Sequence, residues 1–194
     1  MSGELLNELI NLSQRGDQEH TARIILEGAD VNGQDPAGNT PLMYAVMHGF
    51  TDTARILIDS GADVNARNNR GLTPVIYACR NNQPGTLKLL LSRGADANAP
   101  DPEWGHSLTF AANMGYMDIV RHLAENGADL NARDKNGNSA LMLAIINKFP
   151  GIINFLITRG TDLTITNNQK KTAIDLAKEK NLMRVVTDLK FKMT

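Results

Sequence analysis

Gly61-Ala62-Asp63-Val64-Asn65 decides the fold of this chain, because versions of this stretch recur at a fixed distance. The tripeptide Gly-Ala-Asp returns 33 residues later at Gly94-Ala95-Asp96, and after another 33 at Gly127-Ala128-Asp129. The same register extends back to Gly28-Ala29-Asp30 and forward to Gly160-Thr161-Asp162. A period of this length is typical of repeat proteins, in which short units stack and share a core. Such a stack offers an extended surface rather than a deep pocket, so the pattern favours recognition over catalysis.

The period divides the 194 residues into rows of 33. The rows are an N-terminal cap, 1–34, the four rows 35–67, 68–100, 101–133 and 134–166, and a shorter C-terminal cap, 167–194. The two end rows lack most of the repeated motif, and a finite stack requires atypical terminal units with one solvated face. We therefore expect residues 1–194 to form a single, complete domain with no second domain appended.

Within a row, the residues indicate two short helices. Thr40 before Pro41 has the chemistry of a helix start, with a hydroxyl cap and a proline in the first turn. Gly49 can close that helix, Thr53-Ala54-Arg55-Ile56-Leu57-Ile58 has helical apolar spacing, and Gly61 ends the second helix. One column of the first helix is always small: Ala45, Ala78, Ala111, Ala144 and Ala177. A small side chain at a fixed position lets neighbouring helices approach closely.

These motifs resemble the ankyrin repeat, whose signature is Thr-Pro-Leu-His-x-Ala with a later Gly-Ala-Asp-Val-Asn. The resemblance covers essentially the whole chain, and rows 35–67 and 68–100 match best. It implies an all-α repeat fold: an ankyrin solenoid in which each unit is a β-turn plus two antiparallel helices, with a cap at each end. The consensus histidine is replaced in the four central rows, so we expect apolar packing there instead of hydrogen bonds between repeats. The replacements are Met43, Ile76, Thr109 and Met142.

Two rows depart from the pattern after the first helix. Asn82 and Lys148 stand where glycine is expected, and a lysine forced into a left-handed conformation would cost roughly 1–2 kcal/mol. Pro84 and Pro150 follow two residues later and can open the second helix. We therefore predict that these two turns are remodelled.

The composition is that of an ordinary soluble globular protein, with 42% hydrophobic and 21% charged residues. No apolar run approaches a membrane span, and the N-terminus lacks the pattern of a secretory signal. Cys79 is the single cysteine and cannot form an internal disulfide, which fits a reducing compartment. We expect a cytoplasmic monomer that does not associate with membranes.

The net charge of −1 conceals a gradient along the chain. Residues 1–67 carry 4 basic and 10 acidic side chains, whereas residues 167–194 carry 7 basic and 3 acidic ones. This asymmetry either steers a partner of opposite polarity or only keeps the terminal units soluble.

No residue pattern points to catalysis, a metal or a cofactor. The histidines His20, His48, His106 and His122 fall in different columns and make no metal-binding pair. Cys79 lies in an inner-helix column and is interpreted as a small buried hydrophobe rather than a nucleophile. The glycines are periodic, and turns account for them. We expect a protein that is not an enzyme and has no cofactor.

The resemblance implies that a partner protein binds along the concave face, through the turn tips and the ends of the inner helices. The candidate partner-binding residues at the matching positions of this chain, or next to them, are Met47, His48, Arg70, Leu72, Arg80, Asn81, Trp104, Asn113, Met114, Ile146 and Asn147.

Trp104 is the first feature of this face that goes beyond the family pattern. It replaces the glycine found in the turn at Gly38, Gly71 and Gly137, and a tryptophan at a tip is a candidate hot spot. The alternative is that Gly105 takes over the turn and Trp104 folds onto a neighbouring repeat.

The second feature is a set of apolar residues where polar ones would suit an exposed groove. Met47, Met114 and Ile146, with Leu72 and Trp104, are predicted to form an apolar patch, flanked by Arg70 and Arg80. The alternative is that some of them pack between repeats.

An aromatic column, Tyr44, Tyr77 and Phe110, suggests a stacking ladder for nucleic acid. Its apolar neighbours within the helix favour core packing instead, and the near-neutral charge also argues against nucleic acid. The prediction is therefore a non-catalytic module that binds another protein through its concave face. The alternatives are an inhibitor or regulator of an enzyme, and an effector exported into a host cell with Lys190-Phe191-Lys192 as an export signal.

Overall fold

The computed structural model describes residues 2–193, which form twelve helices in six consecutive pairs. We call the first helix of each pair inner and the second outer. The inner helices are α1 (Ser2–Arg15), α3 (Pro41–Met47), α5 (Pro74–Arg80), α7 (Ser107–Met114), α9 (Ala140–Ile146) and α11 (Ala173–Glu179). The outer helices are α2 (Gln18–Leu26), α4 (Thr51–Asp59), α6 (Pro84–Ser92), α8 (Met117–Glu125), α10 (Pro150–Thr158) and α12 (Met183–Met193). Two short strands are β1 (Pro100–Asp101) and β2 (Gly105–His106).

The chain divides into two compact units, the first ending at Pro102 and the second beginning at Glu103. In the first unit, inner helix α3 packs between α1 and α5, and outer helix α4 packs between α2 and α6. In the second unit, α9 packs between α7 and α11, and α8 packs against α10. Each helix pair lies within one of the predicted rows, so the predicted helix-pair repeat is confirmed.

The inner helices begin as the sequence predicts. The Thr40 hydroxyl accepts a hydrogen bond from the Met43 backbone N–H at 3.3 Å, and Pro41 occupies the first helical position. Equivalent caps come from Thr73, Ser139 and Thr172. Because a cap satisfies a backbone donor that the helix itself cannot, it fixes where these four helices start.

The alanine column is fully buried at Ala45, Ala78, Ala111, Ala144 and Ala177. This burial confirms that the column requires a small side chain. The residues that replace the consensus histidine are buried as well, and Met43, Ile76 and Met142 supply the predicted apolar packing. The fourth, Thr109, also makes a hydrogen bond, since its hydroxyl donates to the His106 carbonyl at 2.7 Å.

Asparagine side chains link consecutive repeats. The Asn65 amide donates to the Gly94 carbonyl at 3.1 Å, and the Asp96 backbone N–H donates to the Asn65 Oδ1 at 2.8 Å. Asn32 makes the same pair of bonds one repeat earlier, and in the second unit Asn131 accepts from the Asp162 N–H at 2.8 Å. The repeated motif alone did not predict this role of the asparagine.

The predicted remodelling of two turns is wrong. Asn82 and Lys148 adopt φ values of 50° and 60°, in the left-handed region that Gly49 occupies at 78°. The closing hydrogen bond is also the same, because Phe149 N–H donates to the Ala144 carbonyl at 2.9 Å, as Phe50 does to Ala45. Packing of the helix pair therefore imposes the left-handed turn even on a lysine. The two prolines do begin α6 and α10, as predicted.

Replacing Lys148 by glycine should stabilise the protein. The left-handed conformation of Lys148 costs roughly 1–2 kcal/mol of folded-state stability, and a glycine removes that cost. The greater flexibility of glycine in the unfolded chain offsets roughly 0.5–1 kcal/mol of the gain. We expect Lys148→Gly to raise the free energy of unfolding by about 1 kcal/mol in urea titrations followed by circular dichroism. The matched control, Lys88→Gly in helix α6, should lower it by about 1 kcal/mol. Equal destabilisation by both changes would contradict this interpretation.

Candidate protein-binding surface

In the first unit, the ends of two inner helices are tied together. The Asn81 amide, just after α5, donates to the Met47 carbonyl at the end of α3 at 2.9 Å. Met47 is half-buried, whereas His48 is exposed and its ring lies 6.2 Å from that of Phe50. This end of the unit therefore presents fixed polar groups beside a partly covered methionine.

Leu72 does not belong to an exposed patch, and that prediction is wrong. Its side chain is 1% exposed. Its backbone closes the turn, because its N–H donates to the Asn68 Oδ1 at 2.9 Å and its carbonyl accepts from the Asn68 N–H at 3.1 Å. The exposed residues of this tip are Asn69 and Arg70.

Arg80 is engaged inside the first unit and does not simply flank a patch. Its Nε and Nη2 atoms donate to the two carboxylate oxygens of Asp101 at 2.9 and 2.6 Å. The Asp101 side chain is 1% exposed and that of Arg80 19% exposed. A bidentate pair of this kind fixes both side chains, so the guanidinium has a structural role that the sequence analysis missed.

In the second unit, Trp104 lies in a turn whose left-handed position is occupied by the next residue, a glycine. Gly105, not residue 104, takes the positive φ of 82°, so the first part of the alternative, that Gly105 takes over the turn, is confirmed. The indole lies edge-on to Phe110 of its own row, with 5.2 Å between ring centroids. Trp104 remains 38% exposed. Its ring is thus both accessible and held in place.

Met114 and Ile146 lie at the ends of inner helices α7 and α9 of the second unit. Met114 is 44% exposed, and Ile146 is half-buried. The Asn147 amide donates to the Asn113 Oδ1 at 3.0 Å and to the Leu143 carbonyl at 3.1 Å, which ties the two helix ends together. Both earlier alternatives therefore apply in part: Met114 is exposed, and Ile146 is partly packed.

The aromatic column belongs largely to the core. Phe110 is buried, the Tyr44 hydroxyl donates to the Asp35 carboxylate at 2.6 Å, and the Tyr77 hydroxyl accepts from the Asn68 amide at 2.9 Å. Burial works to raise the pKa of Asp35, but the hydrogen bonds it accepts, that of Tyr44 first, lower the pKa overall. The same bond to Asp35 raises the pKa of Tyr44. Internal hydrogen bonds thus fix the two tyrosines of the column, and burial fixes Phe110.

Residues 2–193 contain neither a cluster of metal ligands nor a membrane-spanning helix. Over that range, no three His, Cys, Asp or Glu side chains lie close enough together to hold a metal ion. Cys79 is buried. No helix in the described part of the chain combines the length and the apolar character needed to cross a membrane.

Comparison with known proteins decides the family. A family model described as "Ankyrin repeats (3 copies)" matches residues 9–101 and 106–189. The chain belongs to the ankyrin repeat family. The predicted resemblance and fold class are thereby confirmed. Ankyrin repeats generally mediate protein–protein interactions, and the fold is typically a non-catalytic scaffold.

Two crystal structures of ankyrin repeat proteins are similar to this chain. The ankyrin repeat protein EF0377 is 28% identical with a TM-score of 0.86, over 95% of this chain and 97% of that one. An ankyrin repeat domain from Acinetobacter baumannii AYE is 26% identical with a TM-score of 0.89, again over 95% and 97%. No curated protein matches the sequence.

The Arg80–Asp101 pair should contribute far more to stability than an exposed ion pair. Truncating Arg80 removes its two charge-assisted bonds to the buried Asp101 carboxylate, and breaking such a pair costs about 3 kcal/mol. We expect Arg80→Ala to lower the free energy of unfolding by that amount in urea titrations. The control, Arg93→Ala, breaks the exposed Arg93–Asp59 pair and should cost less than about 1 kcal/mol. Similar losses for both variants would show that Arg80 is not a structural anchor.

Proposed function

We propose that this ankyrin repeat chain is a non-catalytic module that binds another protein through its turn tips and inner-helix ends. The observation that carries the proposal is Trp104, which is 38% exposed at a tip and held against Phe110 at 5.2 Å. Tryptophan is enriched among the residues that dominate interface energies. A ring already fixed by packing loses little conformational freedom when a partner covers it, so more of the contact energy appears as affinity.

Met114 extends the apolar contact area of the second unit. It is 44% exposed and follows Asn113, whose side chain is bonded to Asn147. These side-chain bonds fix the helix ends before a partner arrives. We therefore assign Trp104 and Met114 as anchors, with Asn113, Ile146 and Asn147 as the surrounding contacts in this unit.

The first unit contributes its own contacts in this proposal. Met47, His48, Arg70 and Asn81 remain candidates, because each is exposed or half-buried at a tip or an inner-helix end. Leu72 is withdrawn because it is buried, and Arg80 is assigned to the internal pair with Asp101.

We also propose that residues 1–194 act as one domain, as a cytoplasmic monomer that binds neither nucleic acid nor membranes and needs no cofactor. Both similar crystal structures cover 95% of the chain as ankyrin repeats, which supports the single domain. The one cysteine, Cys79, is buried, which is compatible with a reducing compartment.

The test is affinity purification from lysate of the source cells, with the natural chain beside a Trp104→Ala, Met114→Ala double variant. Truncating one hot-spot residue costs about 2 kcal/mol or more, or roughly thirtyfold in affinity, so the bound partner should be lost. A Leu26→Ala, Met183→Ala variant removes two other exposed apolar side chains and should retain the partner. Folding of all variants is checked by circular dichroism.

Two results would count against the proposal. A partner retained equally by the natural chain and the Trp104→Ala, Met114→Ala variant would exclude these residues as anchors. Purification that recovers no specific partner at all would contradict a protein-binding function in that cell.

A further inference from the structure

A second surface in the second unit has a distinct chemistry. An open groove of about 480 Å³ lies where the tips of the last two rows meet the inner helices. Its lining combines five side-chain amides with the apolar side chains of Ile146 and Leu176. Three of the amides make hydrogen bonds within the protein. Asn167 donates to Asn138 at 2.9 Å, and Asn168 donates to the Lys135 carbonyl at 3.1 Å.

The other two amides, Asn136 and Gln169, are exposed at the tips. Within the described part of the chain, neither side chain makes an intramolecular hydrogen bond. A primary amide carries both donors and an acceptor, so the pair matches the alternating N–H and C=O groups of an extended polypeptide. The groove thus has a fixed wall and two available polar contacts.

Three exposed lysines lie one or two residues along the chain from residues that line this groove. Lys135 precedes Asn136, Lys170 follows Gln169, and Lys148 lies two residues beyond Ile146. Across residues 2–193, none of the three has an acidic partner within ion-pair distance. The neighbouring carboxylates are engaged elsewhere: Asp134 accepts two backbone N–H bonds at 2.8 Å, and Glu179 pairs with Lys171 at 2.8 Å. The three ammonium groups therefore have no ion-pair partner among the described residues.

Two of these lysines occupy strained backbone positions. Lys148 and Lys170 have φ values of 60° and 61°. In the turn column of Lys170, other rows have Gly38, Gly71 and Gly137, all with positive φ. Glycine adopts this conformation without strain, so stability alone favours glycine at both positions. Strain of this kind persists where the surrounding structure imposes it, and it is concentrated at functional sites.

We propose that this groove, with Lys135, Lys148 and Lys170, binds an acidic, extended segment of a partner protein. The proposal rests on the protein-binding function above and names the chemistry of the partner. The lysines would meet carboxylates, Asn136 and Gln169 would pair with the segment's backbone, and Ile146 would contact an apolar side chain. A polypeptide fits better than a nucleic acid, because single-strand binders stack bases on aromatic side chains and this groove has none in its lining.

The probe is a fluorescein-labelled ten-residue peptide with five glutamates and one leucine, followed by fluorescence anisotropy with the full chain. The natural chain should bind it, and binding should weaken as sodium chloride rises, because salt screens exposed charges. A Lys135→Gln, Lys148→Gly, Lys170→Gly variant should bind at least about fivefold more weakly. The two glycines relieve strain, so this variant should keep its fold, which circular dichroism checks.

The control removes the same amount of charge from helix α12. An Arg184→Gln, Lys190→Gln, Lys192→Gln variant should bind within about twofold of the natural chain if position rather than net charge matters. A second peptide with glutamine in place of each glutamate should not bind.

Several outcomes would overturn the proposal. These are no binding by the natural chain, equal loss in both triple variants, equal binding of the glutamine peptide, or tighter groove-dependent binding of a single-stranded oligonucleotide of equal charge. The test is separable from the first one. If binding of the partner depends on Trp104 and Met114 but not on the lysines, the proposed function is supported and the groove proposal is wrong. If only the groove variant loses peptide binding, the groove proposal is supported. This holds even if the Trp104→Ala, Met114→Ala variant keeps its partner.

Discussion

Close contact between consecutive short helices is the constraint on which this structure depends. A helix of seven residues, such as α3 or α9, is too short to be stable alone, so it must bury its face against the next repeat. The fully buried alanine column permits that approach. Asparagine amides then fix the register, since Asn65 bonds both the carbonyl of Gly94 and the N–H of Asp96 in the following repeat. Some side chains at the turn tips and inner-helix ends remain exposed, Trp104 and Met114 among them.

The sequence predicted the features that depend on local chemistry or on the period itself. The Thr40 cap, the alanine column and the helix pair per row all follow from residues that are neighbours in sequence or equivalent in the repeat. Contacts between rows were missed. The Asn65 amide reaches 29 residues to Gly94, and Arg80 reaches 21 residues to Asp101, so neither pattern is visible within one row. Lys148 was misjudged because its local backbone strain was considered without the packing of the helix pair that outweighs it.

The candidate surface could be predicted only in outline for the same reason. Its positions follow from the repeat columns, but whether a side chain is exposed depends on what packs against it. Leu72 shares its column with Asn39, which is half-buried, yet its own side chain is 1% exposed. Trp104 stays accessible because Gly105 makes the turn and Phe110 supports the ring from one side. The residues left for binding are therefore those that the repeat does not need: an edge-packed tryptophan, an exposed methionine and lysines at positions where glycine would be more stable.

We propose that the partner binds at the inner-helix ends and tips rather than at the outer helices. Photo-cross-linking distinguishes the two surfaces, with p-benzoylphenylalanine introduced at Met114, at the end of inner helix α7, or at Met183, at the start of outer helix α12. Both positions are exposed, so chance encounters should label them similarly. We predict a discrete covalent adduct with one other protein from position 114 and none from position 183, when source-cell lysate is irradiated and analysed by mass spectrometry. A specific adduct from position 183 alone would contradict the account.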